Sequence, residues 1–330
     1  MLKTLHEDGF FYQQVALSNK NEILFCFAPD LFYLCAFFKH QSMIISKKTT
    51  CTLILLSLLL TTASAQDDPW QEYMKYFIYS PRYFGPNAFP LPELRSGRLD
   101  NRYEVEVRGE YHTFKGDRTK DVFGRIFIPV AEGRAGVEVS CVVYEYYNMT
   151  QEIVEERHAA GPSWRHGANG DVVVSALYKL FKNSKRVDFL LEATLKTASG
   201  NRIADARYTD AASYWFDMNA GCYLAKNADA SSFVRLQALA GFYCWMTNNI
   251  EHRQNDAFLY AAGISGGIKN LRFQADMAGF YGYDNNGDRP LILRTNLSYE
   301  YKKNGLSFRY KHGVHDFQYD TYSLAYIRYF

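Results

Sequence analysis

The sequence predicts an all-β fold, a transmembrane antiparallel up-and-down β-barrel of about twelve strands, and three observations carry that reading. The first is a period of two over Leu271–Lys302. Leu271, Phe273, Ala275, Met277, Gly279, Tyr281 and Tyr283 fall on one side, and Arg272, Gln274, Asp276 and Ala278 on the other. After Asp284-Asn285-Asn286-Gly287-Asp288-Arg289-Pro290, the row Leu291, Leu293, Thr295, Leu297, Tyr299 and Tyr301 opposes Arg294, Asn296, Ser298, Glu300 and Lys302. Successive side chains of a strand point to opposite faces, so each run is a strand with one greasy and one ionic face. A soluble sandwich buries the greasy row against a second sheet. A membrane barrel turns it to lipid and lines its lumen with the ionic row, and each run has about the 9–11 residues that a tilted strand needs to span a bilayer.

The second observation is that connections sort by parity. Tight ones follow even-numbered strands, at Ala131–Arg134, Asn183–Lys185, Ala225–Ala230, Lys269-Asn270 and Lys303-Asn304. Longer ones tend to follow odd-numbered strands, at Asn148–Asn169, Ala198–Ala212, Asn248–Asp256 and Asp284–Pro290. Short periplasmic turns and long outer loops give outer-membrane barrels this asymmetry, and an even strand count returns both ends to the periplasm. The third observation is a last strand ending on Phe330, with Tyr322, Leu324 and Tyr326 on the same face.

Taken in order, Met1–Ser42 has an apolar patch broken by Pro29 and Asp30, with no spanning run. A secretory signal begins at Met43: Lys47-Lys48, the apolar Leu53–Leu60, then Ala63-Ser64-Ala65 as the cleavage site. Met43 therefore reads as the start, with 1–42 as an upstream extension; a long genuine leader is the alternative. Gln66–Asn101 is rich in aromatics and proline, from Trp70 to Pro92, and its prolines forbid regular helix or central strand. It is expected in the periplasm, or docked at the barrel mouth or in the lumen.

The strands follow at Arg102–His112, Asp121–Val130, Ala135–Tyr147, Asp171–Lys182, Arg186–Thr197, Ser213–Leu224 and Ser232–Thr247. The rest are Ala257–Ile268, Leu271–Tyr283, Leu291–Lys302, Gly305–Phe317 and Thr321–Phe330. Gly263, Gly266 and Gly267 are expected to weaken the eighth, and Pro129 to end the second.

Removing the leader takes away five of 37 basic and four of 35 acidic residues, leaving 32 against 31. That balance gives no electrostatic case for nucleic acid. Cys141, Cys222 and Cys244 remain, an odd and scattered set on apolar rows that argues against a disulfide framework.

The ionic row supplies the lumen candidates: Arg102, Glu104, Glu106, Arg108, Glu110, Arg125, Glu192, Arg235, Arg272, Asp276, Arg294, Glu300, Arg309 and Lys311. They line either a small polar pore whose field selects solutes or a salt-bridged interior that only stabilises the barrel. Closure of the first strand onto the twelfth is expected to set His112 two strands from His315 near the outer end, with Glu110, Asp316 and Asp320 nearby. They form either a metal or proton-transfer site or a pair of hydrated surface groups. Asp205, Asp210, Asp256, Asp284 and Asp288 are expected in solvated outer loops, where cation binding between lipid head groups is the alternative.

The C-terminal strand resembles that of bacterial outer-membrane barrels, whose terminal aromatic is read by the assembly machinery; Arg328 departs from the pattern. The phrases Tyr83-Phe84-Gly85-Pro86-Asn87-Ala88, Thr197-Ala198-Ser199-Gly200-Asn201, Ala206-Arg207-Tyr208-Thr209-Asp210, Gln254-Asn255-Asp256-Ala257-Phe258 and Asn286-Gly287-Asp288-Arg289-Pro290 resemble those of outer-membrane barrel proteins of Bacteroides-type bacteria. That resemblance implies location and fold, and brings no settled activity. The loop Thr197–Asn201 with the aromatic strand after it is faintly similar to barrels proposed to pass hydrophobic aromatic compounds. The outer-membrane phospholipase family is the enzymatic rival, and it needs a His-x-Ser motif; the sole match, His40-Gln41-Ser42, lies in the leader.

The expected function is a passive, porin-like channel for small solutes, with a closed structural or adhesive barrel as the alternative and a lipid hydrolase as the remoter one. The implied partners are outer-membrane lipid and lipopolysaccharide, and the assembly machinery through Phe330. No cofactor or metal is implied, and the solute is not readable.

Overall fold

The structure is a computed structural model that describes residues 74–160, 165–181, 186–249 and 252–330. The expected extension at 1–42, the signal at 43–65 and the first residues of the 66–101 segment lie outside the described residues.

The strands are β1 Glu104–Phe114, β2 Asp117–Val130, β3 Ala135–Met149, β4 Arg165–Ala168, β5 Val172–Lys179, β6 Val187–Lys196 and β7 Ser213–Lys226. They continue as β8 Ser232–Met246, β9 Gln254–Ile268, β10 Leu271–Gly282, β11 Leu291–Tyr301, β12 Asn304–His315 and β13 Asp320–Tyr329. Every pairing is antiparallel between neighbours, and β1 pairs both β2 and β13, so twelve strands close into a barrel. The short β4 adds to the outer end of β3. Closure leaves no sheet edge, which is the condition for crossing hydrocarbon with strands.

The pleat places the apolar rows outside. Phe216, Phe242, Phe258 and Tyr281 stand side by side in register on β7 to β10, all largely exposed, as an aromatic row near the end that carries the long loops. Tyr299, Leu306 and Tyr326 form the corresponding row near the opposite rim. An exterior this apolar around an ionic interior is that of an outer-membrane barrel. The three cysteines are free.

Several boundaries differ from expectation. β2 begins at Asp117 rather than Asp121, because Lys115-Gly116 closes a tight hairpin with Gly116 in the left-handed region (φ +89°). This outer connection is therefore short, an exception to the parity rule. β9 is paired throughout despite its glycines, since β8 and β10 both bond to it across the glycine stretch. Pro129 lies within β2, opposite Gly136, and does not end the strand.

The interior is not hollow. After a 3-10 turn at Met74–Tyr76, residues 77–101 run without strand or helix through the barrel, from the long-loop end to the short-turn end. Phe77, Tyr79, Phe84, Phe89 and Leu94 are buried against Leu239, Tyr243, Trp245, Leu259, Phe280 and Ile292, which β8 to β11 turn inward. The outer half of this wall is thus apolar on both faces. An inner apolar surface left facing water would be unfavourable by about 25 cal/mol for each Å² exposed, and the segment's rings cover it.

Candidate functional site: the occupied lumen

Pro86, Pro90 and Pro92 deny the segment a hydrogen-bond ladder of its own, so its buried backbone groups need partners from the wall. The wall supplies them. Trp245 Nε1 donates to the Tyr79 carbonyl (3.0 Å), Ser80 Oγ to the Asn286 carbonyl (3.0 Å), and Gly85 N–H to the Ala206 carbonyl (2.8 Å). Deeper in, Arg294 Nη2 donates to the Pro92 carbonyl (3.1 Å), Gln274 Nε2 to Leu94 (3.1 Å) and Arg235 Nη2 to Ser96 (2.8 Å). Asn219 Oδ1 accepts the Arg95 N–H at 2.7 Å. The chain lies so close to the barrel that a Cβ on Gly221 would stand 2.3 Å from the Ser96 carbonyl oxygen.

The segment's charges match the wall they face. Among the inward groups, β11 and β12 present Arg294, Arg309 and Lys311, whereas β6 and β7 present Asp188, Glu192 and Asp217. Glu93 meets Arg294 and Arg309, both at 3.0 Å. Arg95 meets Glu138 (2.9 Å) and Glu192 (2.8 Å), and Arg98 meets Asp188 (3.0 Å). Each contact joins a group on the segment to a strand far away in sequence, so the segment is pinned to opposite sides of the barrel.

The remaining ionic candidates all lie on the interior or at the rim that carries the short turns. Arg125 joins Glu104, Glu106 and Glu138; Arg108 lies between Glu106 and Glu110; Arg294 pairs Asp276 at 2.7 Å; Arg235 pairs Asp188 at 2.9 Å. Arg102 joins Asp100 to Glu300 at the rim. Two candidates differ: Arg272 donates to the Lys269 carbonyl beneath the Phe233 ring, and the Lys311 ammonium stands 4.7 Å from the centre of the Phe317 ring. Between the segment and the wall remains a cavity of about 500 Å³, lined among others by Glu93, Arg95, Arg108, Asp217, Arg309 and Lys311. That is within the range of small-molecule sites.

The expected rim histidine pair is not formed. His112 is fully buried, its Nδ1 2.8 Å from Thr321 Oγ1 and its Nε2 2.7 Å from Asp121 Oδ2, while His315 contacts the Arg289 carbonyl and Asp316. The cause is register, which sets His112 opposite Thr321 and Thr119. Glu110, His112 and Asp121 each bring a ligand-type atom within 4.8 Å of the others, but both imidazole nitrogens are already engaged. Asp205 and Asp288, expected in water, are buried: Asp205 accepts from the Tyr147 hydroxyl, and Asp288 from Asn255 and the Asp284 N–H.

Sequence reasoning missed the seal at the outer mouth. Asp117 accepts from Arg157 (2.8 Å), Arg207 (2.7 Å) and the Tyr319 hydroxyl (2.6 Å), and Arg207 also reaches Glu145 at 2.7 Å. These buried groups tie three outer connections to β2 and β3. The available signal was the placement of Arg157 and Arg207 in loops that also carry long apolar residues.

The chain matches no protein-family model. It matches no curated protein either. Structurally similar chains include the KdgM porin in complex with disordered oligogalacturonate, at 12% identity and a TM-score of 0.42 over 69% of this chain and 99% of that one. Another is the transport unit of the autotransporter AIDA-I from Escherichia coli, at 9% identity and a TM-score of 0.43 over 77% and 100%. A third is the CymD monoaromatic hydrocarbon channel, at 9% identity and a TM-score of 0.34 over 75% and 97%.

Proposed function

We propose that this chain is an outer-membrane channel for small polar solutes whose aperture is set by its own N-terminal segment. The observation that carries the reading is the pairing of Glu93 with Arg294 and Arg309, and of Arg95 with Glu138 and Glu192, across a barrel that still holds a cavity of about 500 Å³. The segment is held by side-chain ion pairs and isolated hydrogen bonds, not by the continuous backbone ladder that holds the wall. A segment held by them can shift while the barrel stays closed on itself. The exported precursor with a signal at 43–65, lipid and lipopolysaccharide around the exterior, and assembly through the exposed Phe330 belong to the same reading.

With the segment docked, Arg309 and Lys311 are the least neutralised basic groups beside the cavity, so they set its selectivity. Arg309→Glu is expected to move the reversal potential under a salt gradient toward cation preference in planar bilayers; an unchanged potential through a conducting barrel would reject this role. The occupied lumen also favours a second reading, a permanently closed structural barrel. Electrically silent insertion at high protein load, in the wild type and in segment-loosening variants alike, would select it.

A further inference from the structure

We infer that the lumen is a binding site for an extended peptide carrying an acidic and a basic residue two positions apart, and that the N-terminal segment is its built-in occupant. The inference rests on the channel reading for transport but not for binding.

The wall around residues 92–96 recognises main chain as well as side chain. Three carbonyls in alternate positions, those of Pro92, Leu94 and Ser96, each receive a side-chain donor, from Arg294, Gln274 and Arg235 in turn. The amide between them, that of Arg95, donates to Asn219. These four wall residues sit on β11, β10, β8 and β7, so the row follows the barrel circumference rather than one strand. Side chains that only neutralised one another across a lumen would have no cause to present donors at the repeat of an extended chain.

Two charge pockets fix the direction of the occupant. Arg294 and Arg309 take the Glu93 carboxylate, while Glu138 and Glu192 take the Arg95 guanidinium through four hydrogen bonds. An extended chain places alternate side chains on one side, and here the two long charged side chains reach opposite walls of the barrel. Gly221 lines this stretch without a side chain: a Cβ there would stand 2.3 Å from the Ser96 carbonyl oxygen. The wall is therefore shaped to backbone thickness. A sugar or an inorganic ion would use the charges but has no alternating carbonyl acceptors to offer the side-chain donors of Arg294, Gln274 and Arg235. A short peptide has both, and it can enter only when the tethered copy leaves.

The test uses the full-length chain with Glu93→Arg and Arg95→Glu together, which sets each segment charge against its own sign and leaves every wall residue intact. Fluorescence anisotropy in detergent then compares two labelled heptapeptides, Leu-Pro-Glu-Leu-Arg-Ser-Gly, the sequence of residues 91–97, and its swapped form Leu-Pro-Arg-Leu-Glu-Ser-Gly. The native peptide is expected to bind at least about tenfold more tightly, as two misplaced charges cost more than 1.4 kcal/mol. Adding Asn219→Ala should weaken it by about fivefold, the worth of one hydrogen bond. Equal affinities, or no binding of either peptide, would overturn the inference. Should the doubly substituted chain fail to form a heat-modifiable barrel, the peptides are added to the wild type at millimolar levels, matching the effective concentration of a tethered competitor. There the native peptide should speed trypsin cleavage after Arg82 and the swapped one should not; identical rates would overturn the inference. Conductance is read in parallel: native-selective binding without any current upholds the peptide site and rejects the channel, while current without peptide discrimination does the reverse.

Discussion

Arg95→Glu is expected to turn a barrel that conducts little into one that is open most of the time. The Arg95 side chain is only 23% exposed and neutralises Glu138 and Glu192, which reach it from β3 and β6. Placing a carboxylate there leaves three acids facing one another in a confined space, with Asp217 close by. Removing one partner of a buried ion pair costs about 3–5 kcal/mol, so the docked population of the segment should fall by about two to four orders of magnitude. The barrel itself loses no wall contact, since Arg125 still holds Glu138. Planar-bilayer recordings should show a larger single-channel step or a higher open fraction. A heat-modifiable Arg95→Glu barrel with wild-type current would mean that the segment does not limit conduction.

The second large effect is expected at the aromatic end. Phe84 is completely buried, with the Phe77, Tyr79 and Phe89 ring centres at 5.9, 5.6 and 5.6 Å, and Phe89 in turn sits 5.8 Å from Trp245. Phe84→Ala removes the ring at the centre of the segment's own cluster, which Phe89 joins to the barrel wall, a change of about 3–5 kcal/mol for a well-packed core position. The cost falls on the docked segment and not on the strand ladder. Trypsin added from the outer face should then cleave after the exposed Arg82 at least tenfold faster, leaving the barrel core intact on gels. An unchanged cleavage rate would show that Phe84 contributes little to docking.

These expectations divide along the line between what the sequence made legible and what it hid. Alternation was legible wherever the two faces meet different media, as in β10 and β11, where Arg272, Asp276, Arg294 and Glu300 mark the inner row without ambiguity. Boundaries there fall within a residue or two of expectation. The pattern fades where the inner face is itself apolar. Phe280 beside Tyr281, and Ile292 between Leu291 and Leu293, break the alternation because both sides are dry: one meets lipid, the other the rings of residues 77–89. That loss of contrast was the available sign of an occupied lumen. Asp117–Lys120 was hidden for a related reason, since its inward Asp117 and Thr119 are satisfied by Arg157 and Arg207, residues that periodicity cannot connect to it.

The ionic row shows the same limit. A list of inward charges does not say whether they face water or one another, and period-two reasoning cannot supply a partner that comes from outside the strands. Glu93, Arg95 and Arg98 are that partner. Their spacing is ordinary in a proline-rich stretch, and only the register of the closed barrel brings Arg294 and Arg309 to one side and Glu138, Glu192 and Asp188 to the other. His112 is a further case, because its neighbours Thr321 and Asp121 are set by closure of β1 onto β13 and β2.

Hydrogen exchange of the folded, detergent-solubilised wild type tests the central claim most directly, because it reads the segment without altering it. Gly85, Ala88 and Arg95 donate their amides to carbonyl or side-chain acceptors inside the barrel, so peptides spanning residues 83–96 should exchange on the slow timescale of the strands around them. Exchange of the same peptides within seconds, at the rate of a free chain beside protected strands, would contradict an occupied lumen.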